Sequence, residues 1–171
     1  ISNKPEFAKL DSALKASSVE PYILKGTSIT GYASPDGKEA LNTELAAKRA
    51  KASAKHVSGL LSKMKMKVST DSSFFSSNTV NEDWAGFQAL MSASDMSQKD
   101  MILRIVASNS DAEAREMEIK KMGKAYKEIA EGVLPKLRRS AVTIQADKVG
   151  RSDEQITATL KSNPDSLTIE E

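Results

Sequence analysis

With 171 residues, 39% of them hydrophobic and 28% charged, the chain can bury a core as one domain, and its composition excludes a disordered polymer. Its 25 Lys and Arg against 23 Asp and Glu leave a net charge of +2, spread along the chain, and aromatics reach only 5%, which argues against nucleic acid as a partner. No apolar run approaches the ~20 residues of a spanning helix, and the lack of cysteine removes disulfides, thiolate metal sites and cysteine nucleophiles.

The chain opens at Ile1 without an initiator Met, and Asn3-Lys4-Pro5-Glu6 then reads as a helix start: a capping Asn, an early Pro and a Glu three residues on. Phe7, Leu10 and Leu14 follow at helical spacing. After Pro21, Tyr22 to Tyr32 is rich in Ile, Tyr and Thr and reads as a strand, chiefly from Lys25 onward. It stops at Gly31 to Gly37. Asp36 with Glu39 makes an Asp-x-x-Glu capping box for a helix over about Lys38 to Leu61, whose many alanines let another element pack closely on it.

Val68 to about Phe75 reads as a second strand. From Asp83 to Leu134 the pattern is helical: Trp84, Phe87 and Met91 share one face, as do Met101, Ile105 and Val106, and with Met96 and Met117 they read as core. In the charged stretch Asp111 to Lys121, a partly buried side is marked by Ala114, Met117, Ile119 and Met122, and its remaining charges read as a solvated helix edge. Gly123 breaks it before a short helix from Tyr126 to Leu134, and Pro135 ends the helical region. Ser140 to Asp147 alternates, with Val142, Ile144 and Ala146 on one side, and is a strand. The tail from Ser152 to Glu171 holds a capped short helix, a break at Asn163-Pro164 and the first turn of another helix, as in a linker within a longer protein.

The chemistry concentrates at Gly31-Tyr32-Ala33-Ser34-Pro35-Asp36-Gly37. A strand that turns straight into a helix needs unusual backbone angles or close approach, which glycine permits, and it aims N–H groups outward where carboxylates and phosphates are favoured. Asn42, Arg49 and His56 recur every seven residues along the helix and form nearly one column beside Leu45, Ala52 and Leu60. The planar fork of Arg49 can hold a carboxylate bidentately, or it can pair internally with Asp36 or a strand carbonyl and fix the turn. A Ser34–Asp36–His56 hydrolase triad is disfavoured by distance, because a rise of ~1.5 Å per residue carries the single histidine far along the helix, and a structural or surface role for His56 is the commoner one. With one His and no Cys, no metal site is expected, and no cofactor either.

The run from Ile29 to Gly37, followed by Asn42-x-x-Leu45-x-x-x-Arg49-Ala50, resembles the signature of the OmpA-like C-terminal domain of Gram-negative envelope proteins. Leu137-Arg138-Arg139-Ser-Ala-Val-Thr-Ile144 is similar to that family's last strand, which opens with paired arginines, and the Tyr-Ala-Ser-Pro turn resembles a Bacteroidetes-type branch. The resemblance implies an α+β fold, a mixed sheet backed by helices with a helical insertion before the last strand. The domain would cover residues 1–147, with the insertion at about 82–134, and residues 148–171 would be a linker and the start of a further C-terminal helical region.

It implies too a non-catalytic, periplasmic module of an outer-membrane-associated protein. Such a module would bind a peptidoglycan stem-peptide carboxylate through Tyr32, Ser34, Asp36, Asn42 and Arg49, or other envelope proteins if the glycan site is lost. Two departures stand out: the turn Asp that pairs with the helix Arg around the zwitterionic end of diaminopimelate is Ser34 here, and no strand precedes the first helix.

Overall fold

The computed structural model describes residues 4–18, 22–63, 72–148 and 150–168. In chain order these form α1 (Lys4–Ser18), β1 (Tyr22–Tyr32), α2 (Glu39–Lys63), a 3-10 turn (Ser72–Phe74) and β2 (Phe75–Val80). Five helices follow, α3 (Trp84–Ser92), α4 (Lys99–Ser108), α5 (Ala112–Lys120), α6 (Lys124–Gly132) and α7 (Leu134–Leu137), then β3 (Ser140–Lys148), α8 (Asp153–Ser162) and a 3-10 turn (Pro164–Ser166). The fold is α+β, with a three-stranded mixed sheet in the order β2-β1-β3. Helices α3 to α7 all lie between β2 and β3 in the chain. No helix among the described residues is long and apolar enough to cross a membrane.

By contacts the chain divides into two compact units, one of Ile1–Thr27, Ser58–Phe74 and Ile144–Glu171, the other of Ser28–Val57 and Phe75–Thr143. In the first, Leu14, Leu24, Leu61 and Phe74 are buried, and Lys25 pairs with Asp147 at 3.3 Å across exposed side chains. Its α8 carries a full capping box between Ser152 and Gln155.

The second unit holds the larger core. Phe87 and Met91 of α3, Ile102 and Val106 of α4, Ile119 of α5, Ala125 and Ile129 of α6, and Val133, Leu134 and Leu137 around α7 form one buried apolar cluster. Trp84 packs against it and meets Phe87 edge to face at a centroid distance of 5.6 Å. Asp111 caps α5 by accepting the Ala114 N–H at 2.8 Å.

Several sequence expectations are corrected. The second strand is Phe75–Val80 instead of Val68–Phe75: a 3-10 turn occupies 72–74, and residues 68–71 lie outside the described residues, as does the Asn3 cap. Ser76, Ser77, Asn78 and Thr79 look like loop because β2 is an edge strand with four consecutive exposed residues. Met101 and Met117 are not core; each is 58% exposed. In α4 the buried pair at four-residue spacing is Ile102 and Val106, which turns Met101 outward. Pro135 does not end the helical region but sits in the first turn of α7, where a missing N–H costs nothing. The helix expected at Tyr126–Leu134 runs from Lys124 to Gly132, after Gly123 at φ 57°.

Candidate functional site

β1 is the central strand, so its C-terminal end emerges between the end of β2 and the start of β3. The chain is gripped there from both sides. The Tyr32 N–H donates to the Arg139 carbonyl at 2.8 Å, the Ala33 N–H to the Val80 carbonyl at 2.9 Å, and the Asp83 N–H to the Ala33 carbonyl at 3.0 Å. From below, α2 packs against the strand at backbone distance: a Cβ on Gly31 would stand 2.0 Å from the Ala46 carbonyl oxygen and 2.8 Å from the Ala50 nitrogen. The two alanines, both buried, are what allow this approach. Gly37 serves a different need, with φ at 89° and open space where its Cβ would be.

The five residues singled out by sequence have distinct partners. Arg49 donates from Nη1 to the Tyr32 carbonyl at 3.1 Å, which is the internal strand-carbonyl contact that its position on α2 left open. Among the described residues it forms no ion pair. Asn42 is 4% exposed and donates from Nδ2 to the Asp36 carbonyl at 3.2 Å, tying the turn to the helix. Ser34, also 4% exposed, accepts from Arg138 Nε at 3.1 Å. The Tyr32 ring lies under the Arg139 guanidinium, 4.1 Å from its central carbon. His56 stays two turns further along α2, seven residues from Arg49.

Asp36 does not cap α2. The helix begins at Glu39, so the cap position is Lys38, and the Asp36 carboxylate instead accepts from Tyr126 Oη at 3.0 Å and stands 3.4 Å from Lys120 Nζ and 4.0 Å from Arg138 Nη2. The edge of α5 is not merely solvated either. Glu116 accepts the Gly37 N–H at 2.6 Å and holds Lys120 at 2.5 Å. Glu118 and Lys121, paired at 2.6 Å, and the exposed Glu113 keep the solvent-side role expected of that stretch.

Sequence reasoning therefore left out Glu116, Lys120, Tyr126, Arg138, Arg139 and Asp83. The paired arginines before the last strand were the one available signal. They diverge: Arg138 turns to Ser34 and Asp36, while Arg139 goes to Asp83 at 2.5 Å as well as to the Tyr32 ring. The Asp83 side chain is 4% exposed and also accepts the Gly86 N–H at 2.9 Å, capping α3.

The electrostatics are those of a site with one cation to spare. Burial first, and then the charge of Arg138, pull the Arg49 guanidinium below the ordinary arginine range. The hydrogen bond that Lys120 donates to Glu116 is the largest cause holding the lysine above its ordinary range. Burial, followed by the Asp36 carboxylate, pushes the Tyr126 phenol up. Beside the turn, a groove of about 740 Å³ opens between Gly37-Lys38-Glu39 and the α5 residues Ala112, Glu113, Glu116, Met117 and Lys120. Among the described residues no cluster of three or more His, Cys, Asp or Glu is placed to hold a metal.

Compared with known proteins, the chain has no match to a family model, to a curated protein or to a solved structure.

Proposed function

We propose that the Gly31–Gly37 turn, Arg49 and Arg138 form a binding site for a ligand carboxylate, and that the protein is a non-catalytic module of the periplasmic cell envelope associated with a peptidoglycan stem peptide. The observation that carries this reading is Arg49: a half-buried guanidinium that among the described residues has only a neutral carbonyl for a partner, with a second guanidinium, Arg138, near enough to disfavour its charge. A carboxylate between them supplies the missing anion. The envelope setting rests on the resemblance to the OmpA-like C-terminal domain, whose glycine, Asn and Arg spacing this chain keeps. A binding role instead of hydrolysis is supported by Ser34, whose oxygen faces an arginine and not a histidine.

Calorimetric titration with a diaminopimelate-containing muropeptide tests the reading. Saturable binding is expected, weakened about tenfold or more by Arg49→Ala through loss of a charge-assisted bidentate contact. No saturation by the unaltered protein, or full binding by Arg49→Ala, overturns it.

A second reading, an envelope protein-interaction module on the same fold, draws on the groove beside α5 and on Met117 exposed at its wall. Under that reading Met117→Glu abolishes capture of an envelope partner, and muropeptide binding is absent.

A further inference from the structure

Among the described residues, the carboxylates that bond to the turn or to its arginines are Asp36, Glu116 and Asp83, and all three are engaged. Asp36 is shared among Tyr126 Oη at 3.0 Å, Lys120 Nζ at 3.4 Å and Arg138 Nη2 at 4.0 Å. Glu116 is taken by the Gly37 N–H at 2.6 Å and by Lys120 at 2.5 Å. Asp83 is closed off by Arg139 and the Gly86 N–H. Ser34, the turn residue between Ala33 and Pro35, carries no charge, and because its oxygen accepts from Arg138 its hydroxyl proton is left to donate. Arg49 is the group with no ionic partner among the described residues. What the site offers a ligand is therefore two guanidinium faces, a hydroxyl donor and neutral carbonyls. An anion relieves the mutual repulsion of Arg49 and Arg138, whereas an ammonium adds a third positive charge while Asp36, Glu116 and Asp83 are held by other groups.

Resting on the reading that this site holds a carboxylate, we propose that it reads negative charge alone: it accepts a carboxylate whose neighbouring nitrogen is acylated, as at the C-terminus of a peptide, and discriminates against a zwitterionic amino-acid end. The helical segment α5–α6 makes this choice, because Lys120 and Tyr126 withdraw Asp36 from the ligand. Ser34 makes it too, because its neutral oxygen, turned to Arg138, brings no anion to the turn.

The test is a matched pair of probes titrated into the whole chain: diaminopimelate, and the same molecule acetylated on both nitrogens. The carboxylates are identical and only the ammonium charges differ. The acetylated probe is expected to bind about tenfold or more tightly, since a like charge placed against a cationic site is strongly disfavoured. Ser34→Asp, checked for folding by circular dichroism, is expected to reverse the order. Arg138→Gln, which removes one of the two cations and serves if Ser34→Asp does not fold, is expected to narrow the gap severalfold.

Equal or tighter binding of unmodified diaminopimelate by the unaltered protein overturns the inference and leaves the carboxylate site standing. So does saturation by the muropeptide with neither probe binding. If muropeptide and both probes all fail to saturate, the carboxylate reading itself falls, and the selectivity with it.

Discussion

The turn and the α5–α6 edge meet at Asp36, yet they are held by different kinds of contact. On the turn side the contacts are backbone on backbone: Gly31 lies against the Ala46 and Ala50 main chain, and the strands on either side bond Tyr32 and Ala33 directly. On the α5–α6 side they are long, half-exposed side chains reaching in from Glu116, Lys120 and Tyr126. A backbone contact cannot relax by changing rotamer, whereas a side-chain contact can be lost with the helix left in place. Changes on the first side should therefore register as stability, and changes on the second as ligand preference.

The sharpest way to break that comparison is one methyl group placed at Gly31. In Gly31→Ala the new Cβ meets main-chain atoms of α2, so strand and helix must separate, and a loss of about 3 kcal/mol or more is expected in chemical denaturation. The same change at Gly37 meets nothing within 4 Å and incurs only the strain of a positive φ, about 1–2 kcal/mol. If the two variants melt alike, the close approach of β1 to α2 is not what holds the turn.

Next in size is Asp83, which joins the two sides. Its carboxylate caps α3 and receives Arg139, which in turn covers Tyr32. Asp83→Ala removes a cap and leaves Arg139 without its anion; because the arginine is 42% exposed and can turn to water, the expected cost is about 2–3 kcal/mol. Asp83→Asn keeps an acceptor for Gly86 and should lose about half as much. A denaturation midpoint unchanged by Asp83→Ala shows that the ion pair and cap contribute nothing to the fold.

The same division explains what could be read from the chain. The strand ending at Tyr32, the Ala-rich helix behind it and the column of Asn42 and Arg49 were legible because each follows from spacing within some thirty residues; the structure places both ends of α2 within two residues of the expected ones and starts β1 at Tyr22, three residues before Lys25. Partners of the turn 79, 90 and 104 positions away were not, because no periodicity links Gly37 to Glu116, Asp36 to Tyr126 or Ser34 to Arg138. An Asp at position 36 followed by Glu39 satisfies a capping rule, but a tertiary hydroxyl and ammonium outcompete the local role. Edge strand β2 was missed for the opposite reason: its pairing comes from β1, and its own polar residues carry no strand pattern.

The smallest expected effect is at Tyr126, and it separates the two sides by pH. The phenol is raised above the ordinary tyrosine range by burial and by Asp36, so the folded state holds that proton more tightly than the unfolded chain does. Its contribution is complete below the unfolded tyrosine value, about pH 10, and is lost as pH rises through the higher folded value. Tyr126→Phe removes one partly buried hydrogen bond to a charged acceptor and should lose about 1 kcal/mol at neutral pH. Above about pH 10 the wild type loses the same contribution, so the two stability curves should converge and then cross as a phenolate forms beside Asp36. Parallel curves across that range would mean that Tyr126 does not hold Asp36. Asp36 would then be held by Lys120 and Arg138 alone, and the case for charge-only recognition would lose its support on the α6 side.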